Sequence, residues 1–246
     1  MNATAAILDL LLPRECGGCG CLDQVLCPLC RSLWGPPIRC DQQAPMLADA
    51  GIQTWATAAY TGPVQRAIVA WKVGNRVDLG EPLLGVMAAA AAAVVQLLAA
   101  GSAAGGASLL LVPAPSGWRR RWTGRFVVGD LAVAAAGGAA HTGTAASAVD
   151  VLSRSGRSQH TLTAGGRRQA SLRSIRAKGA LPAGAPVLLI DDVLTTGATL
   201  AASAAAVRRA GGRVIAALVL AATPAPTAKN IGADRKEMVR KPWPVD

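Results

Sequence analysis

The chain has 246 residues, 52% of them hydrophobic, which is ample for one α/β domain and a small appendage. Aromatic residues make up only 3%, so the core must be built from Ala, Val, Leu and Ile, and a surface that holds nucleic acid by base stacking is disfavoured. The formal net charge of +11 favours an anionic substrate or a polyanionic partner, although an arginine-rich composition bias would give the same number.

The N-terminal stretch MNATAAILDLLLPREC has no basic start, and Asp9 interrupts its short apolar run. It does not read as a secretory signal, and a cytoplasmic protein is expected. Cys16-Gly-Gly-Cys19 and Cys27-Pro-Leu-Cys30 are two CxxC knuckles with seven residues between them. Each offers two thiolates from one tight turn, and the two together complete a tetrahedral four-thiolate zinc site. A disulfide pair or a redox CxxC are the competing readings. The first is disfavoured without an export signal, and the second needs no second copy nearby. Cys21 and Cys40 are spare thiols, and Cys21 competes with Cys19 as a ligand. Residues 1–45 are therefore expected to form a small zinc-ribbon-like module.

Pro36 to Ala50 reads as a linker, and Ala56 to Tyr60 as a strand ending in the turn Thr61-Gly62-Pro63. Val64, Ile68 and Trp71 at helical spacing predict a helix from Val64 to Lys72. The basic loop Lys72-Val73-Gly74-Asn75-Arg76 follows. Leu79 to Leu98 predicts a long Ala-rich helix. Bilayer spans need about 20 apolar residues, and Gln96 and the alanines suit a buried helix better, so no membrane span is expected. Leu109 to Val112 predicts a short buried strand ending in Pro113-Ala114-Pro115, with the basic run Arg119-Arg120-Arg121 after it. Gly129 to Ala140 predicts a helix, with His141 on the surface beyond it. Val151 to Arg176 carries many arginines with weak periodicity and reads as a basic flap with one short helix; His160 lies in it. Four prolines in residues 223–246 predict an irregular or disordered tail. There are no internal repeats.

The most informative stretch is VLLIDDVLTTGATL, Val187 to Leu200. Four apolar residues after Pro186 predict a strand buried on both faces. Asp191 and Asp192 stand where that strand is expected to end. Thr195-Thr196-Gly197-Ala198-Thr199 then lead into a helix from about Thr199 to Ala210, which Gly211-Gly212 caps before a strand from Val214 to Ala222. Ligands of open α/β sheets bind beyond the carboxyl ends of the strands. Loop N–H groups and threonine hydroxyls at a helix N-terminus suit a phosphate monoester. Carboxylates do not bind phosphate, but two neighbouring acids accept hydrogen bonds from sugar hydroxyls or hold a divalent metal. Phosphate beside vicinal hydroxyls describes a ribose 5-phosphate. The P-loop pattern GxxxxGK[ST] occurs nowhere.

The stretch VLLIDDVLTTGAT resembles the phosphoribosyl pyrophosphate (PRPP) motif of type I phosphoribosyltransferases at each position. The order of parts (a double CxxC, KVGNR, VPAP followed by RRR, QHTL before RR, then IDDVLTTGAT) is similar to the competence protein ComF family, from Leu8 to Ala222. That resemblance implies an α/β fold: a type I phosphoribosyltransferase-like parallel sheet flanked by helices over residues 50–222, behind the zinc-ribbon-like module. It implies that Asp191 and Asp192 face the ribose hydroxyls and any magnesium, and that Thr195, Thr196, Gly197, Ala198 and Thr199 cradle the 5-phosphate. It further implies that Lys72, Pro113, Arg119, Arg120 and Arg121 serve the pyrophosphate, and that Gln159, Leu162 and Arg167 match a later family pattern. Zinc and magnesium are the implied metals. PRPP or ribose 5-phosphate is the implied ligand, and DNA uptake with single-stranded DNA binding the implied role. The alternative is an active phosphoribosyltransferase in nucleotide salvage. Two departures stand out. Gly124-Arg125-Phe126-Val127-Val128-Gly129 replaces a family RGFNQA, and Ala170 stands where the family pattern has Asn. They count against base-specific phosphoribosyl transfer, while the net charge of +11, the Arg119-Arg120-Arg121 run and the Arg154 to Arg176 flap favour weak, arginine-borne binding of single-stranded DNA.

Overall fold

The computed structural model describes residues 14–74, 76–100, 108–115, 126–154 and 175–224. Its centre is a six-stranded sheet in which the most apolar segments of the chain lie innermost. The strands are β1 (Ile38–Arg39), β2 (Thr54–Ala59), β3 (Leu109–Pro113), β4 (Ala146–Ala148), β7 (Pro186–Leu194) and β8 (Arg213–Ala222), in the order β1-β2-β8-β7-β3-β4. All neighbours are parallel except the edge pair β1 and β2. A second, antiparallel pair joins β5 (Leu152–Arg154) to β6 (Ile175–Ala177). Val187, Leu188, Leu189 and Ile190 of β7, and Ala216 to Ala221 of β8, are fully buried, as parallel strands covered on both faces require.

Helices cover both faces. On one lie α3 (Gly62–Lys72), α4 (Gly80–Ala100) and α5 (Val127–Ala140). Helix α3 buries Val64, Ala67, Ile68 and Trp71, the stripe its periodicity predicts. Ala and Gly let α4 and α5 meet at backbone distance: a Cβ on Gly138 would stand 2.0 Å from the carbonyl oxygen of Ala88. Among the described residues, the segment Val77–Ala100 is long and apolar enough to cross a bilayer. Its Leu83, Met87, Ala91 and Val94 are buried within the same core as α5 and the sheet. On the other face lie α6 (Ala198–Arg209), the β5–β6 pair and α2 (Pro45–Asp49), joined through Leu47, Leu152, Ile175, Leu200 and Val207.

Three expectations change. Strand β7 does not stop before the acids but runs through Asp191 and Asp192 to Leu194, because β8 continues alongside it, Asp191 opposite Val219 and Val193 opposite Ala221. Pro36 to Ala50 is no linker: it supplies β1, the 3-10 turn Asp41–Gln43 and α2, and buries Cys40, Ala44 and Leu47. The ends of the expected basic flap form β5 and β6, while the short helix expected there, His160 and the tail from residue 225 lie outside the described residues.

The cysteine-rich segment packs on α3. Cys16, Leu26, Cys27, Cys30 and Trp34 share one core with Val64, Ala67, Ile68, Trp71 and Leu79. The Arg66 guanidinium donates to the Gly18 carbonyl across the junction. A short helix, α1 (Pro28–Arg31), closes the second knuckle.

Candidate functional site

The carboxyl end of β7 and the N-terminus of α6 make a shallow cavity lined by Asp191 and by every residue from Val193 to Leu200. Gly197 is the hinge between loop and helix. It adopts φ 76 as the N-cap of α6, and a Cβ there would lie 2.7 Å from Leu47 Cγ. Glycine alone satisfies both constraints. Thr195 and Thr196 are exposed. The Thr196 hydroxyl accepts from the Ala198 N–H at 3.4 Å, a local turn that folds the loop over the helix end. The Thr199 hydroxyl accepts from the Arg154 guanidinium at 3.3 Å. Hydroxyls, an arginine and the positive end of a helix thus gather at one place, an arrangement whose charge suits an anion such as phosphate.

The acids stand at the rim of that cradle. Asp192 is 3% exposed. Its Oδ1 accepts from the Val193 N–H at 2.9 Å, and its Oδ2 forms an ion pair with the Lys72 ammonium at the end of α3. Among the described residues, that Oδ2 has no hydrogen-bond donor besides Lys72. Asp191 is half-buried and accepts from the Asp192 N–H at 2.9 Å. Burial, and then the neighbouring Asp192 charge, push its carboxyl well above the usual carboxylate range. Tyr60 closes the cluster. It follows the end of β2, and its N–H donates to the Ala222 carbonyl at the same edge of the sheet. Burial and the Asp192 charge hold its phenol above the ordinary value, while Lys72 and Gln65 pull the other way. A wider cavity of about 370 Å³ lies at the opposite end of α6, lined by Arg176, Arg209 and small residues. It carries neither the acids nor the threonines.

The cysteines converge, though the tight group is not the four that the knuckle pattern predicts. The thiols of Cys16, Cys19, Cys21 and Cys27 all lie within 4.8 Å of one another. Cys19 and Cys27 sulfurs are 3.6 Å apart, close to the roughly 3.8 Å edge of a tetrahedron with Zn–S bonds of about 2.3 Å. Backbone N–H groups point at the sulfurs, from Cys27 to Cys16 at 3.3 Å and from Cys30 to Cys27 at 3.4 Å. Cys30 is buried beside them, its thiol pushed up by burial and then by hydrogen bonding to Cys27, Cys19 and Cys16. Burial raises Cys16, but the N–H groups of Cys27, Cys19 and Gly18 outweigh it and bring the thiol down to about 6. Cys21 is pushed up to about 12, first by its hydrogen bond to Cys19. Crowded thiols that divide their protons in this way gain from a cation among them. This cluster can hold a metal such as zinc. Cys21 thus joins the tight group in which the spacing alone expects Cys30. Cys40 stands apart in the opposite core.

Acids, threonine loop and helix end are thus assembled at the carboxyl edge of a mostly parallel sheet, and one family model matches this part of the chain. Residues 138–245 match the family model of the phosphoribosyl transferase domain. The match covers β4 to β8, the acid pair and the whole cradle, and it supports the phosphoribosyltransferase superfamily for the sheet domain. No curated protein matches the chain. The matched segment begins after Lys72 and Tyr60, which reach its site through α3 and β2, and after the cysteines, which pack elsewhere on α3. Pro113 is buried and pairs with Ile190, beside the acids. Arg119, Arg120, Arg121, Gln159, Leu162 and Arg167 lie outside the described residues. Tyr60 was not anticipated from sequence. The signal was available, because a residue that ends a strand next to Thr61-Gly62-Pro63 occupies the same sheet edge as the acids.

Proposed function

We propose that this protein binds PRPP, or a ribose 5-phosphate of the same shape, with magnesium. The carrying observation is the contiguity of the Thr195-to-Thr199 cradle with the Asp191–Asp192 pair at the end of β7. In this reading the loop N–H groups and hydroxyls take the 5-phosphate, and the carboxylates take the ribose hydroxyls and the metal. Magnesium would supply charge neutralisation of the diphosphate. The chain's own groups would position the sugar. Zinc is proposed as a structural ion on Cys16, Cys19 and Cys27, with Cys30 or Cys21 as the fourth thiolate.

Calorimetric titration of PRPP with magnesium tests the ligand site. Binding that disappears in the Asp191→Asn, Asp192→Asn double variant, with the melting transition retained, is the expected result. Absence of binding to PRPP and to ribose 5-phosphate at millimolar concentration in the wild type would overturn it.

The resemblance to ComF proteins extends the proposal to DNA uptake in the cytoplasm, with single-stranded DNA as a weak partner. The net charge of +11 and the Arg154 guanidinium at the cradle favour that extension. Contacts to phosphates release counterions, so oligo-dT affinity should fall steeply with salt. Neutralising Arg119 to Arg121 should flatten the slope by about 2–3 units. The same flattening from Arg208 and Arg209 would indicate nonspecific attraction to a basic protein.

A further inference from the structure

More thiols crowd the cysteine cluster than a tetrahedral metal can use. Cys16, Cys19, Cys21 and Cys27 bring their sulfurs within 4.8 Å of one another, and Cys30 hydrogen-bonds to Cys27, Cys19 and Cys16. A closed tetrahedral site takes four thiolates, so one thiol is in excess. These cysteines also fall into two kinds. Cys16, Cys27 and Cys30 are buried in the core shared with α3, and backbone N–H groups hold the Cys16 and Cys27 sulfurs in place. Cys19 and Cys21 are exposed. Gly20 between them adopts φ 82, and the space where its Cβ would stand is open. A reagent from solvent therefore meets this pair first, and the pair can move without unpacking the core.

Accessible thiolates are the sulfurs that oxidants convert. With hydrogen peroxide as the oxidant, one sulfur of the pair takes a peroxide oxygen and becomes a sulfenic acid, releasing water. The neighbouring sulfur then displaces that oxygen as a second water and closes the S–S bond. Two thiols and one peroxide thus give one disulfide and two waters, the sulfurs losing two electrons and the peroxide gaining them. The Cys21 thiol already hydrogen-bonds to Cys19, so the second sulfur needs only a short approach. The Cys27 sulfur, 3.6 Å from Cys19, is the less available partner, because it is buried and accepts the Cys30 N–H. A sulfur tied in a disulfide offers no thiolate to a metal. Oxidation of the exposed pair leaves Cys16, Cys27 and Cys30, one ligand short of a closed site.

We propose that Cys19 and Cys21 form a reversible oxidation site on the thiol module: a peroxide converts them to a disulfide, and the metal is released. This inference rests on the structural-zinc reading of the cluster and is independent of the ribose-phosphate reading of the cradle.

In the test, the full-length protein, purified with its metal, is treated with stoichiometric hydrogen peroxide. Released zinc is read with a chromogenic chelator, and disulfides are mapped after alkylation of the remaining thiols. About one zinc per chain should leave the wild type, together with formation of a Cys19–Cys21 disulfide, and dithiothreitol with added zinc should restore the starting state. Cys21→Ser should keep its zinc under the same treatment, whereas Cys40→Ser should lose it as the wild type does. Zinc retained by the oxidised wild type, a disulfide between other cysteines, or release from Cys21→Ser at the wild-type rate would overturn the proposal. If Cys21→Ser takes up no zinc, the disulfide mapped in the wild type decides alone. Wild-type protein purified without metal would instead overturn the zinc reading, and this inference with it.

Discussion

The two faces of the sheet solve different problems. On the face of α3, α4 and α5, the thiol module contributes only a short helix and a few buried side chains, among them Cys16, Leu26, Cys27, Cys30 and Trp34. So small a unit is held in shape by whatever joins its sulfurs. On the other face, α2 and α6 bury Leu47 and Leu200 against β7 and β8, and the threonine loop is the exposed end of that packing. In the module, coordination chemistry would organise the chain. In the cradle, the packed core organises the chemistry. Helix α3 connects the two, with the module docked along its side and Lys72 at its end.

This contrast is open to direct attack, and the module should fail most dramatically. Zinc sites of this class supply on the order of 10 kcal/mol of folding free energy. Cys27→Ser, or chelation of the wild type, should therefore reduce metal content from about one per chain and shift Trp34 emission to the red as its 8% exposure rises. Full metal content in Cys27→Ser would break the contrast. Comparison of Cys21→Ser with Cys30→Ser then identifies the fourth ligand.

The cradle should respond to packing instead. Gly197→Ala combines a left-handed backbone with a contact 2.7 Å from Leu47 Cγ. Strain and overpacking together should cost about 2–4 kcal/mol in urea unfolding, with metal content unchanged. A Gly197→Ala protein of wild-type stability would mean that the loop is not held by the core beneath it.

The smallest expected effect comes from Cys40, the cysteine that belongs to the cradle's face. Its thiol donates to the Thr54 carbonyl at 3.5 Å and is pushed up to about 12 by burial, then by the Asp41 charge. The folded value lies above the unfolded one, so the associated stability is complete below about pH 8.5 and is lost as pH rises toward 12. The difference in stability between wild type and Cys40→Ala should therefore shrink over that window, and metal content should not respond to the substitution at all. A metal loss in Cys40→Ala would place this thiol in the cluster and remove the distinction between the two faces.

What could be read from the sequence is what is local. The run from Val187 to Leu200 contains a strand, its acids, its loop and the start of its helix in unbroken order, so this local structure was legible without knowing the rest of the fold. The CxxC knuckles are local for the same reason, because each places two sulfurs on one turn. The stripe Val64, Ile68 and Trp71 gave helix α3 through its period alone. Tertiary structure decided whatever depends on distant segments meeting. The length of β7 could not be read from its own residues, since β8 is what carries the pairing past Ile190 to Leu194. The fold of Pro36 to Ala50 depends on Leu47 finding Gly197 and the core beneath it. The admission of Cys21 to the thiol group depends on how the two knuckles close. Neither Lys72 nor Asp192 announces the other, and only the docking of α3 beside β7 brings the ammonium to the buried carboxylate. Hydrophobic period and turn chemistry act over a few residues, whereas an ion pair between separate elements exists only once the sheet has set their distance.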